Sequence, residues 1–359
     1  MRDPRWWATR WVVATVVAVA MASVGGARAP TASTARPSGV GGSRGSVANH
    51  AASAAGQSSG TPTVINGIGF WTAQDGLLAA SQGCTLTVEA TRDGGRVWTT
   101  VLRLPHAESG TPTVTGREDA WVRILPCDGQ GTTALVHSSD GGRVWTTVGD
   151  ASVANLDFLS ATQGWAIRAT PSAQVTNWLG LALSVVNTDD GGRRWQRAPG
   201  PSCPQGEILE LLSAPDASTV YVVCAGQPGA GQQPKTLEVT TDGGKTWDVV
   251  ASSGQSTGQS AAGILEAGYA SGLDFVTPRR GYLWMARGPV LVTSDGGRRW
   301  SGVDLGPHSD AAQPRSVSFV SASVGFVLVQ NEPEQDASLL TTVDGGTKWS
   351  VVRTWQHSI

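Results

Sequence analysis

Charge is scarce in this chain: only 15% of its 359 residues are Asp, Glu, Lys or Arg, and the formal net charge is -2. A near-neutral chain carries no electrostatic footprint for nucleic acid or an anionic membrane surface, so neither is expected as a partner. Histidine is rare as well. His50, His106, His137, His308 and His357 form neither an H-E-x-x-H nor an H-x-H pattern, and no nucleotide loop precedes a helix. The four cysteines include no C-x-x-C pair. No metal site and no cofactor are therefore expected.

Glycine and tryptophan are plentiful. With 46 Gly, 15 Trp and 40% hydrophobic residues, the composition describes a turn-rich, all-β protein in which aromatic side chains carry much of the burial. Arg2, Arg5 and Arg10 precede an apolar run from Trp11 to Ala27, followed by Arg28 and Ala29 in an A-x-A pattern. Residues 1–29 read as an export segment, either cleaved or retained as a membrane anchor. An extracytoplasmic protein is expected, touching a membrane only through such an anchor. No Cys immediately follows the run, which argues against lipid attachment. Residues 30–61 are almost entirely Ala, Ser, Gly, Thr, Pro and a few Arg. Such a segment cannot bury enough apolar surface to offset the entropy of ordering and reads as a tether. The folded domain is assigned to residues 62–359.

Within that domain one element recurs six times, first as Thr91-Arg92-Asp93-Gly94-Gly95-Arg96-Val97-Trp98 and then at 138–145, 188–195, 240–247, 293–300 and 342–349. Every copy reads [ST]-x-D-G-G-x-x-W. The aspartates Asp93, Asp140, Asp190, Asp242, Asp295 and Asp344 are 47, 50, 52, 53 and 49 residues apart, a period that suits one four-stranded propeller blade. The tryptophans Trp98, Trp145, Trp195, Trp247, Trp300 and Trp349 are expected to pack each hairpin onto its blade. Six aspartates could instead be read as metal or catalytic sites, but an identical residue in every repeat points to a requirement of every repeat. The carboxylate can accept turn N–H groups, the second Gly can take positive φ, and the hydroxyl can close the loop.

A second element precedes each box. Phe70 to Gly76, Phe158 to Gly164-Trp165, Phe275 to Gly281-Tyr282 and Phe319 to Gly325-Phe326 share a strand, a polar turn and a second strand that opens on Gly and a large apolar residue. The second and fourth copies are degraded, with Val114 to Ala120-Trp121 and Leu211 to Val220-Tyr221. Six such openings and six boxes predict a six-bladed β-propeller of four-stranded antiparallel blades, with residues 62–69 available as a closing strand. Seven blades are the alternative, but the tether is the only stretch left to supply another.

The repeat register also pairs the cysteines. Cys84 and Cys127 fall just after the second strands of adjacent blades, whereas Cys203 lies on the approach to blade 4 and Cys224 ends that blade's second strand. The expected disulfides are Cys84–Cys127 and Cys203–Cys224. In an up-and-down blade both bridges lie on the face opposite the boxes. The long insertions 170–181 with Trp178, 226–234, 252–272 with Glu266 and Tyr269, and 330–337 with Glu332 and Glu334 share that face, where binding would be expected. Arg123, Arg168 and Arg287 recur near the ends of second strands and are expected to ring the channel mouth there, able to grip acidic groups. Solvated edge charge is the plainer reading of the same three residues.

The [ST]-x-D-G-G-x-x-W element resembles the Asp-box, or BNR, repeat over residues 62–355. Its alternation with F-x-x-x-x-x-G-[WFY] is most similar to propellers related to the photosystem II stability and assembly factor. That resemblance implies a non-catalytic scaffold that binds protein partners, although those relatives normally have seven blades. Sialidases are a more distant likeness and imply a glycan-active enzyme. Their R-I-P motif is missing before the first box, and the nearest string, Arg123-Ile124-Leu125-Pro126, follows that box with an extra residue. With three Tyr in the chain, Glu266 and Tyr269 are the one catalytic pair such a likeness offers. A monomer that binds a protein partner, or alternatively a glycan, is the expectation.

Overall fold

The computed structural model describes residues 64–127, 133–149, 152–171, 177, 179–253, 263–306, 312–331 and 336–356. The export segment, the tether, Trp178, Glu332 and Glu334 lie outside the described residues. All the described strands belong to six antiparallel blades, five of them four-stranded in sequence order. Their first strands are Val64–Phe70, Thr113–Thr115, Val153–Phe158, Glu207–Ser213, Tyr269–Phe275 and Ala312–Phe319. Each packs against the first strand of the next blade, and the sixth returns to the first, so the ring closes. Blade 2 differs: Ala107–Glu108 and Thr113–Thr115 both pair with Asp119–Pro126, leaving its inner position in two pieces.

Residues 64–70 are not an added closing strand. They form the inner strand of blade 1, and no sheet joins the two ends of the domain. Closure rests on side chains: Ser316 Oγ accepts the Ile68 N–H and donates to the Ile68 carbonyl, and Ser318 Oγ accepts the Phe70 N–H. The Phe70 and Phe326 rings stack across the seam at 3.6 Å.

That stack explains the second repeated element. The aromatic that opens the second strand of one blade, after Gly or after the Ala120 or Val220 that replaces it, lies flat on the Phe of the next, as Trp121 on Phe158, Tyr221 on Phe275 and Tyr282 on Phe319, with centroids 3.6 to 3.7 Å apart. The box Trp of the same blade then meets that Phe edge-on, a favourable geometry for aromatic pairs. The Gly is required because the Phe ring covers it: a Cβ at Gly164 would stand 2.6 Å from Phe158.

In every box the Thr or Ser hydroxyl donates to the Asp carboxylate at 2.8 to 3.0 Å and accepts the N–H of the second Gly. The carboxylate also accepts the N–H four residues on. Both glycines have positive φ, not the second alone. The first sends its N–H to the turn between strands one and two of its own blade, as Gly94 to Gln74 O and Gly296 to Arg279 O, which fixes both turns on one face. Asp242→Ala removes turn bonds and no packed surface, so it is expected to lower the melting temperature less than loss of a buried box Trp does. Thermal melts of the two variants side by side check this.

The inner ring carries buried acid. Asp157 Oδ2 accepts the Ala214 N–H and the Ser213 hydroxyl, and Asp274 Oδ2 accepts the Phe319 N–H, so each ties its blade to the next. Burial pushes Asp157 up to about 6, and burial with the nearby Asp157 charge pushes Asp274 up to about 7. Such groups keep a proton in the folded state that the unfolded chain releases above about pH 4, so stability falls as pH rises toward 7. The box aspartates are shifted the other way by hydrogen bonds that favour the carboxylate. Their contribution is present above about pH 4 and is lost as pH falls below it. The melting temperature is expected to peak near pH 4 to 5, and D157N and D274N to flatten its decline toward pH 7. A wild-type profile that rises between those values would contradict this.

Candidate binding face

Opposite the boxes, the disulfides form as the register requires: Cys84 to Cys127, with Cα atoms 5.8 Å apart, and Cys203 to Cys224, at 5.5 Å. The first clamps blade 1 to blade 2. The second ties the approach segment of blade 4 to that blade's second strand, Val220–Gly226.

The arginines do not form an open set. Arg123 is 7% exposed, and its Nη1 donates to Val153 O, the first residue of the next blade's inner strand. Burial lowers its guanidinium to about 10. Arg168 reaches across its own blade to Trp195 O. Arg287 occupies a hairpin turn with φ 57°, and its N–H donates to Gln313 Oε1. Two of the three thus join parts of the scaffold, a role that strand-end position alone does not distinguish from display at a rim. Tyr269 is likewise inside, 6% exposed, with its hydroxyl accepting the Gly231 N–H. Glu266 is exposed, and its backbone carbonyl accepts from Gln233 N and Lys235 Nζ.

A buried polar knot under this face is absent from the sequence reading. Lys235 is fully buried, and its Nζ donates to the carbonyls of Gln233, Leu265, Glu266 and Gly268 at 2.8 to 3.1 Å. Gln233 donates to Glu210 Oε2 and Gly226 O while accepting the Ala270 N–H. Burial raises Glu210 to about 8 and lowers Lys235 to about 8. One signal was available: Glu210 interrupts the apolar run Ile208-Leu209-Glu210-Leu211-Leu212. The structure answers with a β-bulge between Leu209 and Leu211.

A cleft of about 380 Å³ opens between blades 3 and 4, walled by Leu181, Leu183, Ile208 and Leu209 with Arg197 and Glu207 among its polar groups. Its edge is unfinished. The outer strand of blade 3, Gln196–Arg197, pairs only with Val186 and Asn187. Val185 O accepts the Ala198 N–H, so strand alternation turns Leu183 and Leu181 to that same edge. Asn177 caps Leu181 through both its side-chain oxygen and nitrogen. Leu183 pairs with Ala169 on its inner side, but on the outer side no described strand reaches it, and Glu207 Oε2 in the cleft is buried without a hydrogen-bond partner among the described residues.

Fold and register together define a six-bladed β-propeller with the box turns on one side and both disulfides on the other. No known family model matches the chain, and no curated protein matches it. Solved structures do resemble it in fold. One is YCF48 bound to a D1 peptide, with 18% identity, 81% of this chain and 82% of that one covered, and a TM-score of 0.45. Another is the GH74 xyloglucanase of Xanthomonas campestris, with 15% identity, coverage of 81% and 45%, and a TM-score of 0.48. A third is the Hadza microbial sialidase Hz136, with 13% identity, coverage of 79% and 64%, and a TM-score of 0.46.

Proposed function

We propose that this chain is an exported, non-catalytic scaffold that binds a protein partner by accepting an extended segment along the edge at Leu183. The observation that carries the reading is the open outer edge of Leu183 above a cleft walled by Leu181, Leu183, Ile208 and Leu209, with the Glu207 oxygen ready for a donor from the incoming segment. Strand addition supplies main-chain hydrogen bonds, and the cleft supplies side-chain selection. Export is supported by the basic and apolar start of the chain and by two disulfides, which persist in oxidising compartments. The catalytic alternative is weakened by Tyr269, whose buried hydroxyl is already engaged. Photo-crosslinking from position 184 on the intact protein in its native envelope is expected to capture one protein that Leu183→Pro no longer captures, since proline removes the edge N–H. Crosslinking unchanged by Leu183→Pro, or turnover of a sialic-acid glycoside by the wild type, would overturn the reading.

A further inference from the structure

Beside the cleft, the structure brings the Cys203–Cys224 bridge against a buried carboxylate. Both sulfurs and an oxygen of Glu238 lie within 4.8 Å of one another. We propose that Cys203, Cys224 and Glu238 form a thiol-gated site for a divalent cation of the zinc class, closed while the disulfide is intact and opened by a dithiol reductant.

The geometry is close to what such an ion needs. Zinc bonds of about 2.3 Å to sulfur and about 2.1 Å to oxygen put the sulfur-to-oxygen edge of a tetrahedron at about 3.6 Å. Cys224 Sγ and Glu238 Oε1 already stand 3.6 Å apart. Their backbones are fixed on neighbouring strands, Val220–Gly226 and Lys235–Thr240. Only Cys203 has to move, so that the sulfurs separate to the roughly 3.8 Å edge of the same tetrahedron. It sits in irregular chain ahead of Glu207–Ser213, where such a shift breaks no ladder.

The electrostatics favour a cation as well. Glu238 is 3% exposed and faces a neighbouring carboxylate, Glu207, so the pocket gathers negative charge with little water around it. A divalent ion would neutralise that charge. Three protein donors leave a fourth position for water, the arrangement of an open zinc site.

Gating follows from thiol chemistry. A thiolate of the dithiol attacks Sγ of Cys203, the half-buried partner on the cleft wall, and the fully buried Cys224 departs as thiolate. The second thiol of the reductant resolves the mixed disulfide, so the reductant leaves as a cyclic disulfide and its two protons pass to the two cysteine sulfurs. Binding of the metal then displaces those two protons.

The test uses the whole chain reduced with dithiothreitol and desalted under argon, then titrated with Co²⁺ and back-titrated with Zn²⁺. One equivalent of Co²⁺ is expected to give a sulfur-to-cobalt charge-transfer band that Zn²⁺ abolishes, with none in oxidised protein. Glu238→Gln, which keeps both thiols, is expected to weaken Co²⁺ by roughly tenfold or more. Alkylation mapped by mass spectrometry needs no variant: Zn²⁺ is expected to protect Cys203 and Cys224 while Cys84 and Cys127 label. The proposal is overturned by unchanged affinity in E238Q, by equal labelling of all four cysteines, or by loss of near-ultraviolet circular dichroism on reduction alone.

Discussion

Trp145→Ala is expected to lower the unfolding free energy by about 3 to 5 kcal/mol, the cost of emptying a fully packed aromatic site. Trp145 is 1% exposed, lies in the core shared by blades 1 and 2, and donates its indole N–H to Gly142 O. The second box glycine lies against its ring: a Cβ at Gly142 would meet Trp145 at 3.6 Å and Leu77 of the preceding blade at 3.2 Å. The hole left by Trp145 therefore opens a blade junction and not a surface hairpin. Trp195, in the same motif, is half-buried, and its indole N–H has no partner. Trp195→Ala is expected to cost only about 1 to 2 kcal/mol, in proportion to the smaller area withdrawn from water. Denaturant titration of both variants measures the difference. Equal losses would mean that the box turn, and not its burial, sets the contribution.

Lys235→Met is the second large effect. Methionine keeps most of the apolar stem and removes the ammonium, so four carbonyls, those of Gln233 and Gly268 in buried bonds and those of Leu265 and Glu266 in partly buried ones, lose their common donor. A loss of about 3 to 5 kcal/mol is expected, as when one partner of a buried charged network is removed. The damage should be local first. Leu265, Glu266 and Gly268 all give their carbonyls to this group, beside the backbone bonds from Gln233 to Glu266 and from Gly268 to Gly231, so hydrogen exchange there is expected to accelerate before the blades themselves open. A Met variant that melts like wild type, with unchanged exchange at 263–268, would show that the knot adds order without stability.

Much of this fold could be read directly from the sequence. Each box is a closed circuit of hydrogen bonds within eight residues, so its residue types had to recur wherever the turn recurred. Six circuits at blade spacing fixed the blade count, the strand order and the face on which the turns lie. The cysteine pairs followed, because register alone placed Cys84 beside Cys127 and Cys203 beside Cys224.

What the tertiary structure alone decided lies outside the boxes. The roles of Trp121, Tyr221, Tyr282 and Phe326 depend on a Phe in the next blade, and ring closure depends on Ser316 meeting Ile68 across 248 residues. Arg123 and Arg168 occupy strand ends that look alike in sequence, yet neighbouring backbone carbonyls engage both guanidinium groups. Lys235 resembles an ordinary strand-edge cation until four carbonyls from two loops converge on it. Periodicity reports contacts that every repeat must make with itself. The contacts of Ser316, Arg123, Arg168 and Lys235 are each particular to one place in the ring, and such contacts leave no period to read.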